Sequence, residues 1–234
     1  MTKRPAFTLI ELLVVTAIFS LAVLLATAAY TDVQTTQRFV QAQQRLASEA
    51  RYLVETISRS VRTGSINYVY YRAQRPPDGG PSMPELVLTT IDQQGVITCY
   101  SRQDGEILVA TPVGSDCSVA SVSNVTPSDM NVTALNFYIT PRSDPFGPPP
   151  QSAADCKAGN FNASLGACLC SSQSDCWPGQ TCPTAVDPNP NICVNPDVQP
   201  QVTIYLSAVT VGGTAVEQAN VDLQTTVVSR VYQR

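Results

Sequence analysis

The sequence predicts an α+β protein: a long N-terminal helix packed on an antiparallel β-sheet, with a disulfide-rich insert. Three observations carry this. Nineteen mostly apolar residues run from Leu12 to Tyr30, and helical spacing of apolar residues continues beyond them to about Thr63. After Ser65 the pattern changes to short alternating segments separated by turn residues. Six of the eight cysteines are then gathered between Arg142 and Pro200.

The apolar run is long enough to cross a bilayer, because about 20 residues at roughly 1.5 Å each span a hydrocarbon core of about 30 Å. It is preceded by Lys3-Arg4-Pro5-Ala6 and then by Phe7-Thr8-Leu9-Ile10-Glu11. A carboxylate on such a helix is costly, by about 2.5–3.5 kcal/mol at the bilayer centre, and is functional by default. A secretory signal peptide would be cut after its apolar stretch, where Ala26-Thr27-Ala28 offers a small-x-small site. That reading leaves Glu11 unexplained, as does a plain single-span anchor.

This order of parts resembles the type IV prepilin signature: basic leader, cleavage site, Phe, a glutamate five residues into the mature chain, then the membrane helix. The resemblance implies cleavage between Ala6 and Phe7 by a prepilin peptidase and N-methylation of Phe7. It also implies that Glu11 meets the α-amine of a neighbouring subunit as a filament assembles, a pairing that sets register. Two positions depart from the family pattern. Ala6 stands where Gly is usual before the cut, and Ala28 stands where major pilins often carry a helix-kinking Pro.

Beyond the membrane-length segment, Leu46, Ala50, Leu53, Val54, Ile57 and Val61 recur at spacings of three and four and predict one buried helix face. Arg45, Glu49, Arg51, Glu55 and Arg59 lie on the other face. Arg45–Glu49, Arg51–Glu55 and Glu55–Arg59 are opposite-sign i,i+4 pairs, worth a few tenths of a kcal/mol each. Gly64 is placed to cap the helix. A helix from Phe7 to Thr63 is about 85 Å long.

Ile66-Asn67-Tyr68-Val69-Tyr70-Tyr71 is aromatic and β-branched and predicts a strand, with its alternating tyrosines on one face against the helix. Further strands are predicted at Glu85–Ile91, Gly95–Arg102, Ile107–Ala110, Asn131–Thr140, Gln201–Val211 and Val221–Tyr232, with Gln93-Gln94-Gly95 and Asp104-Gly105 as turns. Together they form an antiparallel sheet with the helix on one face. Cys99 and Cys117 flank the Ile107–Ala110 strand and are predicted to bridge.

The insert, 142–200, opens with Asp144-Pro145-Phe146-Gly147-Pro148-Pro149-Pro150 and closes with Asn195-Pro196-Asp197, both loop punctuation. Its cysteines are Cys156, Cys168, Cys170, Cys176, Cys182 and Cys193. With few apolar residues it cannot build an ordinary core and must be stapled. We expect the six to pair among themselves, although sequence does not choose among fifteen pairings. Ser174-Asp175-Cys176-Trp177-Pro178-Gly179-Gln180-Thr181-Cys182 resembles small extracellular cysteine-rich modules.

Composition narrows the chemistry. Histidine is absent, which excludes His-based triads and His-ligated metals. The net charge is −4 and Lys157 is the only lysine after the leader, which argues against nucleic acid as a main partner. Cys168, Cys170, Cys176 and Cys182 could supply a four-thiolate zinc site, but the spacing is not the paired C-x-x-C of zinc ribbons and the compartment favours disulfides. No metal and no cofactor are expected. Asp92, Asp104, Glu106 and Asp116 are scattered turn carboxylates from which sequence singles out no catalytic pair, so no catalytic residue is assigned. Asn124, Asn131 and Asn162 head glycosylation-type tripeptides, short enough to arise by chance.

The resulting division is a leader at 1–6, a long helix at 7–64 with 7–30 transmembrane, and a sheet domain at 65–234. The helix-plus-sheet order resembles the pilin architecture, and the charged second half of the helix looks most like W-type minor pilins and J-type pseudopilins. That implies a structural subunit of a type IV pilus or a type II secretion-type filament, not an enzyme. Its expected partners are other pilin subunits through the N-terminal helix, the prepilin peptidase, the inner-membrane assembly platform, and the cytoplasmic membrane before assembly. It would be a single-pass membrane protein with its C-terminal domain outside, and then part of an extracellular or periplasmic filament. The alternative is a membrane-anchored extracellular binding module that never enters a filament.

Overall fold

A computed structural model of the chain describes residues 8–74, 83–112, 117, 120–142, 144–147, 151, 153–165, 167–177, 180–183, 191–194, 198–211 and 218–229. Helix α1 (Leu9–Thr63) is unbroken over 55 residues, about 80 Å at 1.5 Å per residue. Its buried residues are Leu46, Ala50, Leu53, Val54, Ile57, Ser58 and Val61, which contain the whole face expected from the spacing. The helix stops where Gly64, extended rather than left-handed, donates its N–H to the Ser60 carbonyl. A side chain at Gly64 would have its Cβ 2.7 Å from the Ile91 carbonyl oxygen, so close backbone approach, not φ, requires glycine here.

Strand β1 (Ser65–Ile66) follows, but the tyrosine-rich stretch is a helix, not the predicted strand: α2 (Tyr68–Gln74). Hydrogen bonds made by three side chains explain the difference. The Asn67 Oδ1 accepts the Tyr70 N–H and caps the new helix, at 3.3 Å. The Tyr68 hydroxyl donates to the Pro141 carbonyl, and the Tyr71 hydroxyl donates to the Val87 carbonyl while accepting the Thr89 N–H. These tertiary bonds override the β-propensity of the segment.

The β layer is divided into two sheets. Strands β2 (Val87–Ile91), β3 (Ile97–Gln103), β4 (Glu106–Pro112) and β5 (Ala120–Asn124) follow β1 in a five-stranded antiparallel sheet, in the order of the chain. Strands β6 (Met130–Thr140), β9 (Gln201–Thr210) and β10 (Asn220–Val228) form a three-stranded sheet in the order β10-β9-β6, with β7 (Phe161–Asn162) and β8 (Ala167–Cys168) as a ribbon in the insert. Strand β5 is serine-rich and is not among the strands that the sequence pattern predicts.

Helix α1 lies across β9 and β10. Its buried face joins Val202, Ile204, Leu206 and Ala208 of β9, Leu135, Phe137 and Ile139 of β6, and Leu88, Tyr100 and Ile107 of the larger sheet in one core. The sheets meet at the β3–β4 turn, where Gly105 O accepts the Val132 N–H at 2.7 Å and Arg102 Nε donates to Val132 O at 2.7 Å. Glu85 and Phe137 exchange backbone bonds across the same junction. The Asp104-Gly105 turn has both residues at positive φ, as a two-residue hairpin turn demands. At Asp92-Gly95 the organiser is Asp92, whose Oδ1 accepts the N–H groups of Gln94 and Val96.

Of the predicted helix pairs, Arg45–Glu49 forms at 3.0 Å, and Arg45 also reaches Asp129 at 2.9 Å. Glu55 pairs with Arg62, nearly two turns away, at 2.9 Å, in place of Arg51 or Arg59. An i,i+7 neighbour lies almost directly along the axis from residue i, so it competes with i,i+4 for a long side chain.

Candidate assembly interface

The first half of α1 is built from residues that prefer contact with hydrocarbon, and the fold gives them no partner. Every residue from Leu9 to Val33 is exposed, with Leu9 at 81 % and Phe19 at 69 %. The first residue that the domain buries is Leu46. A helix apolar on all sides and uncovered is a membrane span or a contact surface. Its hydroxyls are compatible with lipid: Thr16, Ser20, Thr27 and Thr31 all donate to carbonyls three or four residues back.

Glu11 is the one charged side chain between Leu9 and Thr31, exposed in the first turn of α1. There its carboxylate sits beside the helix N-terminus, whose unpaired N–H groups favour negative charge. Ala6 and Phe7, the expected cleavage and methylation positions, lie outside the described residues. The leader lies outside them too.

The second candidate surface is the insert. Disulfides join Cys156 to Cys168, Cys170 to Cys182 and Cys176 to Cys193, while Cys99 joins Cys117. Cys99 lies in β3 and Cys117 in the β4–β5 connection, so this bridge ties a strand to a loop rather than two neighbouring strands. The insert's own polar bonds do the work of a core. Trp177 Nε1 donates to the Asp155 carbonyl at 2.9 Å, and Thr181 and Val194 exchange backbone bonds. Asp175 accepts the N–H groups of Ser171 and Ser172, which hold its carboxyl below the ordinary aspartate range. At the neck, burial raises the Asp144 carboxyl above that range.

Of the turn carboxylates, Asp104 and Glu106 share the exposed β3–β4 turn, two residues apart. Asp92 and Asp104 lie at opposite ends of β3, about 20 Å apart by strand length, and Asp116 is outside the described residues. The sulfurs of Cys170, Cys176 and Cys193 lie within 4.8 Å of one another, but all three are spent in two adjacent disulfides and offer no thiolate. Asn162 uses its Oδ1 to accept the N–H groups of Ser164 and Leu165 and so shapes the β7–β8 turn. A shallow cleft runs past Phe161, Leu169 and Asn191.

Residues 1–27 match the family model for the prokaryotic N-terminal methylation motif. No curated protein and no solved structure matches the chain. The methylation motif, the long exposed apolar helix and the antiparallel sheets with disulfides make this a type IV pilin-like protein.

Proposed function

We propose that this chain is a minor subunit, a minor pilin or pseudopilin, of a type IV pilus or a type II secretion-type filament. Its work is assembly rather than catalysis. A prepilin peptidase cuts between Ala6 and Phe7, the new amine is methylated, and the chain waits in the cytoplasmic membrane with its C-terminal domain outside. The assembly platform then draws it into an extracellular or periplasmic filament. Helices bundle through the 9–33 segment, and Glu11 neutralises the Phe7 amine of the adjacent subunit. The insert at 142–200 stands away from the helix bundle and presents a stapled surface to a partner.

One observation carries this reading: a folded domain holds out an apolar half-helix that it does not cover, with a carboxylate at the far end. Buried in a helix bundle, that carboxylate needs a cation, and cleavage before Phe7 would create one.

The test is the mass of the mature N-terminus. N-methyl-Phe7 is expected, and Ala6→Lys should leave the precursor uncut with Lys3 and Arg4 held on the cytoplasmic side. An intact Met1 on the wild-type chain would favour the anchored binding module instead.

A further inference from the structure

The half of α1 that packs on the sheets also has an outer face, and its chemistry differs from that of the rest of the molecule. Residues 38–62 hold five arginines against two glutamates, whereas residues 65–234 hold seven basic side chains against fourteen carboxylates. Much of the positive charge on the helix is already used. Arg45 is bound by Glu49 and Asp129, and Arg62 by Glu55.

Arg51 and Arg59 are different. Both are exposed, and among the described residues no group pairs with either guanidinium. Tyr52 stands beside them, 71 % exposed, with a hydroxyl that bonds to nothing described. The three lie within an arc of about 100°, on the side of α1 opposite the buried stripe of Leu53, Ile57 and Val61. Two unpaired arginines around an open tyrosine ring are the residue types that dominate the energy of protein interfaces.

We propose that this Arg51–Tyr52–Arg59 face docks on the acidic sheet domain of a second copy of the chain. Charge complementarity selects the occupant: the helix face is basic, and the domain has twice as many carboxylates as basic groups, with Asp104 and Glu106 exposed at the β3–β4 turn. Two free arginines are too few for strong phosphate binding, and the adjoining acidic domain repels a nucleic acid. The proposal deepens the filament reading by naming a contact between subunits outside the apolar bundle, and it rests on that reading for its biological role.

The experiment measures self-association of the full chain in detergent micelles by sedimentation velocity. Raising the salt from about 0.1 M to about 1 M shortens the screening length from about 10 Å to about 3 Å, and should weaken association tenfold or more. Arg51→Glu with Arg59→Glu should do the same at low salt, as should Tyr52→Ala. Far-ultraviolet dichroism and four intact disulfides show that the variants are folded, and Arg51→Gln with Arg59→Gln gives a milder second variant. A chain that stays monomeric at low salt overturns the proposal. So does association indifferent to salt and to the reversals, or retention of duplex DNA by this face in place of self-association. These outcomes are independent of the mass of the N-terminus, so failure here is distinguishable from failure of the filament reading.

Discussion

Thr140 and Gln201 face each other across the β6–β9 ladder, although the whole insert separates them in the sequence. The segment 141–200 is thus the loop of a hairpin, and its two ends leave the sheet side by side. Among the described residues its β7–β8 ribbon pairs only within the insert, with Ile192 and Cys193 beside it, apart from either large sheet.

Deletion of 143–200, closed by a short glycine linker, should leave both large sheets and α1 folded. The ends are already adjacent, and a shorter loop costs less entropy to close. Pro141, which accepts the Tyr68 hydroxyl, is kept. Thermal unfolding should shift by no more than a few degrees, about 1 kcal/mol for a domain this size. Loss of the cooperative transition would show that the insert is part of the domain.

Glu11→Ala should separate assembly from folding. The side chain is exposed and remote from the core, so the melting temperature and membrane level should not change. A subunit amine left buried without its partner costs about 3–5 kcal/mol, which should lower incorporation into filaments by about a hundredfold or more. Quantitative blotting of sheared filaments against membranes measures it, and normal incorporation contradicts the charge pairing.

Gly105→Ala should destabilise the junction between the sheets. The position has φ +85°, and a Cβ there would collide with the Asn131 side chain. Left-handed backbone alone costs an L-residue about 1–2 kcal/mol. Asn131→Ala in the same chain should restore only the part of the loss due to the collision. Chemical denaturation of the single and double variants separates the two parts.

Alkaline pH should unfold the domain through its tyrosines. Burial raises Tyr68, Tyr71 and Tyr100 above the ordinary tyrosine value. A raised folded pKa means that the unfolded chain ionises first. Their stabilising contribution is complete below about 10 and falls as pH rises beyond it. Tyrosinate absorbance should therefore appear in step with loss of near-ultraviolet dichroism. Tyr71→Phe should lower stability by about 1–3 kcal/mol at neutral pH, because the Val87 carbonyl and Thr89 N–H lose their partner.

The sequence by itself determined what rests on local patterns. Spacings of three and four marked Leu46 to Val61 as the buried stripe, because a helix repeats its face every 3.6 residues whatever it packs against. Alternation located most of the strands, and Asp104-Gly105 named its own turn, because those conformations belong to short segments. The methylation motif was legible for the same reason, since its parts lie in one continuous stretch.

Only the tertiary structure decided what depends on residues distant in the chain. It turned the Tyr68–Tyr71 segment into α2, because Pro141, Val87 and Thr89 supply hydrogen-bond partners that local propensity does not register. It divided the β layer into two sheets that meet at Gly105 and Val132, sent Glu55 to Arg62, and chose one cysteine pairing from the many that spacing allows. It also left Arg51, Tyr52 and Arg59 uncovered. In the sequence they are part of a charged helix face like any other, and only the packing of both sheets on the opposite side leaves them open to a partner.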